Sequence, residues 1–312
     1  MDHATEALII EIRRAADALE RIADVLAQNS SFIHAAGNGD HAAEHIGPEP
    51  NLVEDSTALL EYLRDRGVTV KKRREEEEGD EVLDQIALFI GERYHTLRRV
   101  LELIKRAMNS GDSFTMLLGT QTPEEISNTC QLCTRLHQIA FLSEYEYQRS
   151  PRRKLSARPN RIPKALNFFS GQWLERYVRT LVLTEAQERG LRAACLANPQ
   201  ISLPNGDDSE LDILFSIEGD VYWFEAKTGD YQQYVGRYER LASVLQVDRH
   251  HAFMVLTDIT AQTASALSGL FGMTVVPIQD LPTIVERMLA RYSDAVEQAD
   301  SLPSGQPLSS PA

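Results

Sequence analysis

Cysteine is scarce in this chain, with three in 312 residues. So small and odd a count cannot staple a fold, and it fits reduced thiols in a cytoplasmic protein. Long apolar runs are missing too. Stretches such as Ile86 to Ile90 and Ala252 to Leu256 fall far short of the roughly 18 residues that cross a membrane. The start, Met1-Asp2-His3, has no basic n-region and no apolar h-region, so no signal peptide is expected. Basic residues are outnumbered 32 to 46, giving a net charge of −14, which excludes a general nucleic-acid coat. There is no P-loop, no glycine-rich dinucleotide fingerprint and no G-x-S-x-G elbow. What remains is 43% apolar, enough to bury the core of one large or two modest domains.

The charge is unevenly spread. Residues 1–80 sum to −9, whereas residues 151–179 hold eight bases against the single acid Glu175. A basic island in an acidic chain marks a place rather than a bulk property.

Leu8, Ile12, Ala15, Leu19, Ile22 and Leu26 are spaced four, three, four, three, four, the seam of a coiled coil. Residues 1–30 are therefore expected to form a helix that joins copies into a homo-oligomer, followed by a polar, glycine-bearing linker over 31–50. Residues 51–160 read as mainly helical, with helices at 55–66, 82–108 and 122–147 and short strands near 67–70 and 113–118. A Pro- and Arg-rich boundary or surface arm follows at 151–167. Lys71 to Asp80 reads as a solvated charge block. From about 161 to 299 the texture alternates. Helix 168–184, strand 210–217, a hairpin at 218–220, strand 221–227 and helix 231–246 lead to strand 251–257, helix 261–271, strand 273–278 and helix 280–299. This is an α/β domain with a mixed sheet flanked by helices. Residues 300–312 read as a disordered tail.

The chemistry gathers in that domain. Side chains alternate along a strand, so Glu225 and Lys227 share one face of Val221-Tyr-Trp-Phe-Glu-Ala-Lys227, opposite Phe224 and Ala226. Across a tight hairpin, Asp212 reaches the same face, and Glu210, two residues earlier, is placed to replace or assist it. Two carboxylates and an ammonium then converge at the end of an apolar hairpin, a set suited to a hard cation such as Mg²⁺.

These residues resemble the PD-(D/E)xK, restriction-endonuclease-like nuclease superfamily: Asp212, twelve residues, then Glu225-Ala226-Lys227, with Glu175 on the preceding helix. Gly171-Gln-Trp-Leu-Glu-Arg-Tyr-Val178, Glu210-Leu-Asp-Ile-Leu-Phe215 and Arg237-Tyr-Glu-Arg-Leu-Ala-Ser-Val-Leu245 look most like the nuclease domain of CRISPR ancillary nucleases. The resemblance covers roughly 165–280. It implies that Asp212, Glu225 and the Ala226 carbonyl bind Mg²⁺ or Mn²⁺, with Glu175 completing the shell or holding a second ion. Lys227 would orient or deprotonate the attacking water and stabilise the charge that builds on phosphorus. Gln233 and Arg237, one turn apart on the next helix, would face the scissile phosphate. Arg152, Arg153, Lys154 and Arg158 would position the backbone of the nucleic acid. Leu211 stands where the family's proline would be. Residues 1–150 do not alternate strand and helix as a nucleotide-sensing Rossmann-like domain would, so activation by a cyclic oligonucleotide is not carried over.

The implied function is a metal-dependent endonuclease, with DNA favoured over RNA and no membrane partner, in defence against foreign nucleic acid. A non-catalytic binding or assembly module on the same fold is the rival. A third reading is a zinc peptidase through His41, Glu44 and His45, an H-x-x-E-H pattern set in a polar linker where nothing fixes it. Cys130, Cys133 and His137 fall on one helical stripe and read as a core face before they read as a zinc site.

Overall fold

A computed structural model describes residues 56–75, 77–150, 153–232 and 235–300, with the backbone alone at 235 and 293–300. The helix expected over 1–30, the linker 31–50, the His41/Glu44/His45 pattern, Arg152, Gln233 and the tail beyond 300 lie outside the described residues. The chain divides into two compact units: Glu76–Arg176 belongs to the first, and Asn51–Glu75 with Tyr177–Ala312 to the second. Helix α1 (Thr57–Asp65) and strand β1 (Thr69–Lys72) are part of the second unit.

The first unit runs through helices α2 (Asp80–Glu92) and α3 (Tyr94–Ser110), strand β2 (Phe114–Leu117), helix α4 (Pro123–Gln138), strands β3 (Leu142–Gln148) and β4 (Lys154–Pro159), and the short helix α5 (Pro163–Asn167). Helix α4 opens as its sequence dictates. The Thr122 hydroxyl accepts from the Glu125 N–H at 3.2 Å, the Glu125 carboxylate accepts from the Thr122 N–H at 2.7 Å, and Pro123 fills the first turn.

The helix expected to run to 147 ends at Gln138. Ala140 turns left-handed at φ 58°, and the Phe141 N–H reaches back to the Leu136 carbonyl, which closes the last turn. Glu144-Tyr-Glu-Tyr-Gln148 then alternates with period two and, past an irregularity in pairing between Leu142 and Glu144, the segment becomes a strand. The expected arm at 151–167 is likewise structured. Leu155 and Ala157 turn inward from β4, which sits between β2 and β3 in an antiparallel sheet. The half expected to be mainly helical thus carries a sheet of its own.

The charge block at 71–80 is not wholly solvated. Asp80 is buried, and together with Asp84 it holds Arg176, itself only 2% exposed. Arg176 lies near the start of helix α6 (Trp173–Glu188) and is a structural cation of the first unit, not part of a basic surface.

The second unit continues with strands β5 (Ala193–Ala197), β6 (Gln200–Ser202), β7 (Asp208–Glu210), β8 (Ile213–Ile217) and β9 (Asp220–Lys227). Helix α7 (Val235–Leu245), strand β10 (Ala252–Leu256), helix α8 (Ala261–Leu270), strand β11 (Thr274–Pro277) and helix α9 (Leu281–Asp300) complete it. Five strands form a mixed sheet in the order β11-β10-β9-β8-β5. Strands β9, β10 and β11 run parallel through helical crossovers, and β8 is antiparallel to both neighbours. This is the α/β fold with a mixed sheet that the sequence predicts.

The strand expected at 210–217 is split. Residues 208–210 pair with β6 in a small sheet β1-β6-β7, while 213–217 join the large one. The large sheet buries Trp223, Leu214 and Met254 with Leu59 and Leu63 of α1 and Leu241 and Leu245 of α7.

The β8–β9 hairpin sets the register of the site. Ile217 pairs with Asp220 around a two-residue turn, with Glu218 at φ 50° and Gly219 at φ 92°. Both positive values suit the tight turns that match strand twist, and glycine takes them without strain. A Cβ on Gly219 would meet nothing within 4 Å, so the cost of substitution is backbone strain alone. Gly219→Ala is expected to lower stability by about 1 kcal/mol, read as a shift in urea midpoint with unchanged slope; no shift would contradict the turn.

Candidate active site

Strand β9 ends at the carboxyl edge of the parallel strands, where open α/β sheets hold their ligands. Because Ile213 pairs with Phe224, Asp212 falls opposite Glu225, one residue before β8 begins. The Asp212 backbone N–H donates to Glu225 Oε1 at 3.1 Å, and the Trp223 indole donates to the same oxygen at 3.0 Å. Lys227 Nζ lies 3.2 Å from Glu225 Oε2 and 2.6 Å from Asp212 Oδ2. Asp212 Oδ2 also accepts from the Ala226 N–H at 2.8 Å. The structure thus brings Asp212, Glu225 and Lys227 into one cluster, with Glu225 1% exposed and Asp212 7%.

Two carboxylates share one ammonium here, and the surplus negative charge has a consequence. Burial first, and then the Asp212 charge, push the Glu225 carboxyl up to about 8. Burial alone would lower Lys227, but Glu225 and Asp212 more than offset it and hold the ammonium above its ordinary value. Lys227 is therefore held in its charged form, while Glu225 keeps a proton more readily than an ordinary carboxyl. A carboxyl raised in the folded state stabilises the fold fully below its unfolded value of 4.5 and loses that contribution as pH rises through about 8. Stability should accordingly fall across that window by up to about 1 kcal/mol per pH unit. Glu225→Gln should flatten the slope; urea melts at several pH values give the answer, and an unchanged slope would refute the assignment.

The remaining candidates are distributed as follows. Glu175 is half-buried in the first turn of α6 and belongs to the first unit, while the cluster belongs to the second. Glu210 is exposed on β7 in the small sheet, and it does not join the cluster as its spacing suggested. Its carbonyl accepts instead from Arg237, whose guanidinium also donates to Ser209 Oγ at 2.9 Å. Arg153 is exposed, Lys154 half-buried at the start of β4, and Arg158 exposed and paired with Glu144 at 3.2 Å. Cys130, Cys133 and His137 do form a structural stripe. Tyr145 donates to the Cys130 carbonyl, His137 Nδ1 meets the Leu142 carbonyl, and burial pushes the Cys133 thiol up to about 12.

Two residues of the cluster's surroundings escape sequence reasoning. Trp223 reads as core, yet its indole N–H fixes Glu225. Tyr238 on α7 hydrogen-bonds Glu225, and its ring lies 5.9 Å beneath Lys227 Nζ. Its only sequence signal is helical spacing with Leu241 and Leu245, which speaks for burial and not for chemistry.

The donor chemistry fits a hard divalent cation. Both donors to Asp212 reach Oδ2, so Oδ1 faces no donor among the described residues, and the cluster carries one carboxylate more than its ammonium can balance. One or two carboxylates are what Mg²⁺ takes from a protein when phosphate and water complete its shell. Among the described residues no group of three or more His, Cys, Asp or Glu could hold a metal, so none offers the denser donor set of structural zinc.

No protein-family model matches the chain, and no curated protein does. Several solved structures share the fold, two of them as follows. Protein VC1899 from Vibrio cholerae is 17% identical at a TM-score of 0.50, with 76% of this chain and 62% of that one covered. Can2 from Sulfobacillus thermosulfidooxidans, in complex with cyclic tetra-adenylate, is 15% identical at a TM-score of 0.50, with 82% and 63% covered. The chain thus spans less than two thirds of the length of either. Among the described residues no helix is long and apolar enough to cross a membrane.

Proposed function

We propose that this chain is a metal-dependent nuclease that hydrolyses phosphodiester bonds, with DNA favoured over RNA, through Asp212, Glu225 and Lys227. One observation carries the reading: an ammonium held between two buried carboxylates at the carboxyl edge of a mixed sheet. A structural ion pair needs one carboxylate, and a second in the same apolar setting raises the electrostatic cost unless a cation is to be bound.

Mg²⁺ or Mn²⁺, held by Asp212, Glu225 and the Ala226 carbonyl, would supply an activated water and neutralise charge on the phosphate. Lys227 does the rest from a fixed position. Its charge is secured by both carboxylates, so it serves as a hydrogen-bond donor to water or phosphate oxygen and not as a base. Asp212 and the Tyr238 ring restrict where its Nζ can point. Gln233 and Arg237 near the phosphate belong to the same proposal by resemblance. So does homo-oligomer formation through residues 1–30, which would bring two sites to one duplex. A defence role is supported by the resemblance to CRISPR ancillary nucleases and by the fold shared with Can2.

Incubation with plasmid, single-stranded DNA and RNA in Mg²⁺, Mn²⁺ or chelator tests the reading. Cleavage confined to the metal-containing reactions is expected. Binding without cleavage in any of them would favour a non-catalytic module.

A further inference from the structure

Lys227 is the member of the acidic cluster nearest to solvent. Its side chain is 22% exposed, against 9% for Asp212 and 2% for Glu225. The four carboxylate oxygens differ in what they already hold. Asp212 Oδ2 takes the Ala226 N–H and the Lys227 ammonium, and Glu225 Oε1 takes the Asp212 N–H and the Trp223 indole. Neither can be vacated without leaving a buried N–H unpaired, which is costly. Asp212 Oδ1 faces no donor among the described residues. Glu225 Oε2 lies 3.2 Å from Lys227 Nζ, and Tyr238 also bonds this carboxylate. A divalent ion taking one oxygen from each carboxylate would thus find Asp212 Oδ1 open and Glu225 Oε2 covered by an ammonium.

An ammonium and a dication cannot both take these carboxylates at full strength, because like charges a few ångströms apart repel strongly in a buried setting. Lys227 has a second resting place. Its contact with Asp212 Oδ2 is the shorter one, at 2.6 Å, and the Tyr238 ring centre lies 5.9 Å from Nζ, within reach of cation–π attraction. That ring is a fixed platform: Tyr238 is buried and meets the Trp223 ring at 5.9 Å and 71°. A swing about Asp212 Oδ2 toward Tyr238 frees Glu225 Oε2 and leaves the ammonium paired throughout.

We propose that Lys227 is the resident cation of this cluster and that a divalent ion binds by exchange, Lys227 yielding Glu225 Oε2 to the metal while staying on Asp212 Oδ2. The site is latched by its own ammonium until a metal displaces it. The proposal rests on the metal-binding reading of the cluster and adds a competition to it. The residue that cleavage requires lowers the affinity for the ion that cleavage also requires.

Mn²⁺ binding to the full-length protein without nucleic acid, read from the electron paramagnetic resonance of the free ion, tests this apart from activity. Lys227→Met, which keeps the stem and drops the charge, should bind Mn²⁺ at least about tenfold more tightly than the parent, a modest share of the repulsion removed. Lys227→Arg, which keeps the charge, should stay within about threefold of the parent. Mg²⁺ should raise the urea midpoint of Lys227→Met more than that of the parent, since a tighter ligand of the folded state stabilises it further. A crystal structure of the parent with Mn²⁺ gives a second readout that needs no variant to fold. Lys227 Nζ should lie beyond about 3.5 Å from Glu225 Oε2 and still within hydrogen-bond reach of Asp212 Oδ2. Equal Mn²⁺ binding by the parent and Lys227→Met would overturn the exchange and leave the metal site standing. So would tighter binding by Lys227→Arg as well, which would trace the effect to packing, or a bound metal with Lys227 still on Glu225. Mn²⁺ binding by none of the proteins would remove the exchange and the metal site together.

Discussion

Lys227→Ala is expected to bring metal-dependent cleavage to background, a loss of about a thousandfold or more. Removing one preorganised donor from a transition state typically costs a hundred- to a thousandfold. Here the same ammonium also anchors Asp212 at 2.6 Å and Glu225 at 3.2 Å, so the loss of one member disables the others. The substitution strips a buried carboxylate pair of its cation, and a stability loss on the order of 3 kcal/mol should accompany it. Protonation of Glu225, already favoured by its burial, relieves part of that strain. Lys227→Met keeps the aliphatic stem, and Asp212→Asn keeps an acceptor for the Ala226 N–H; both should be inactive while still folded. Parent-like turnover in a folded Lys227→Met protein would remove Lys227 from the mechanism.

The largest effect on stability is expected at Arg176. Its guanidinium is 2% exposed and donates to Asp84, to the Asp80 carboxylate and to the Asp80 backbone carbonyl. Removing the cation leaves Asp80 buried without its countercharge, which typically costs 3–5 kcal/mol, about a third or more of the stability of an ordinary domain. Arg176→Ala should therefore lower the urea midpoint sharply or leave the protein insoluble. Arg176→Lys should recover only part, because a point charge cannot reproduce the fork that spans two aspartates. Arg106, on α3 with its side chain 77% exposed, serves as the control, with a loss of under about 1 kcal/mol. Equal losses at the two positions would mean that Arg176 is not the buried clamp described above.

Some of this was legible in the residues. Period-two alternation from Val221 to Lys227 placed Glu225 and Lys227 on one face, and the Glu218-Gly219 turn brought the strand of Asp212 alongside. The capping box at Thr122 and Glu125 placed the start of α4. These are local rules, decided by neighbours a few residues apart. The strand at Leu142–Gln148 was also written locally, as alternation, but it followed a helical stripe without a glycine or proline to mark the change. The left-handed turn at Ala140 has no such signature, because it is fixed by the return of the Phe141 N–H to Leu136.

By itself, then, the sequence determined the α/β class, the hairpin and the meeting of Asp212, Glu225 and Lys227. The tertiary structure decided which charges were for the surface and which for the interior. Arg176 and Asp80 looked like members of solvated runs and are buried together, although 96 residues separate them. Glu210 looked like a partner of Asp212 and was drawn into another sheet by pairing with Gln200. Tyr238 and Trp223 looked like packing and hold Glu225. In each case the deciding partner lies across the fold or on another element. The energy of a charged or hydrogen-bonding group depends on the dielectric and the partners around it, and composition and spacing along the chain do not encode either.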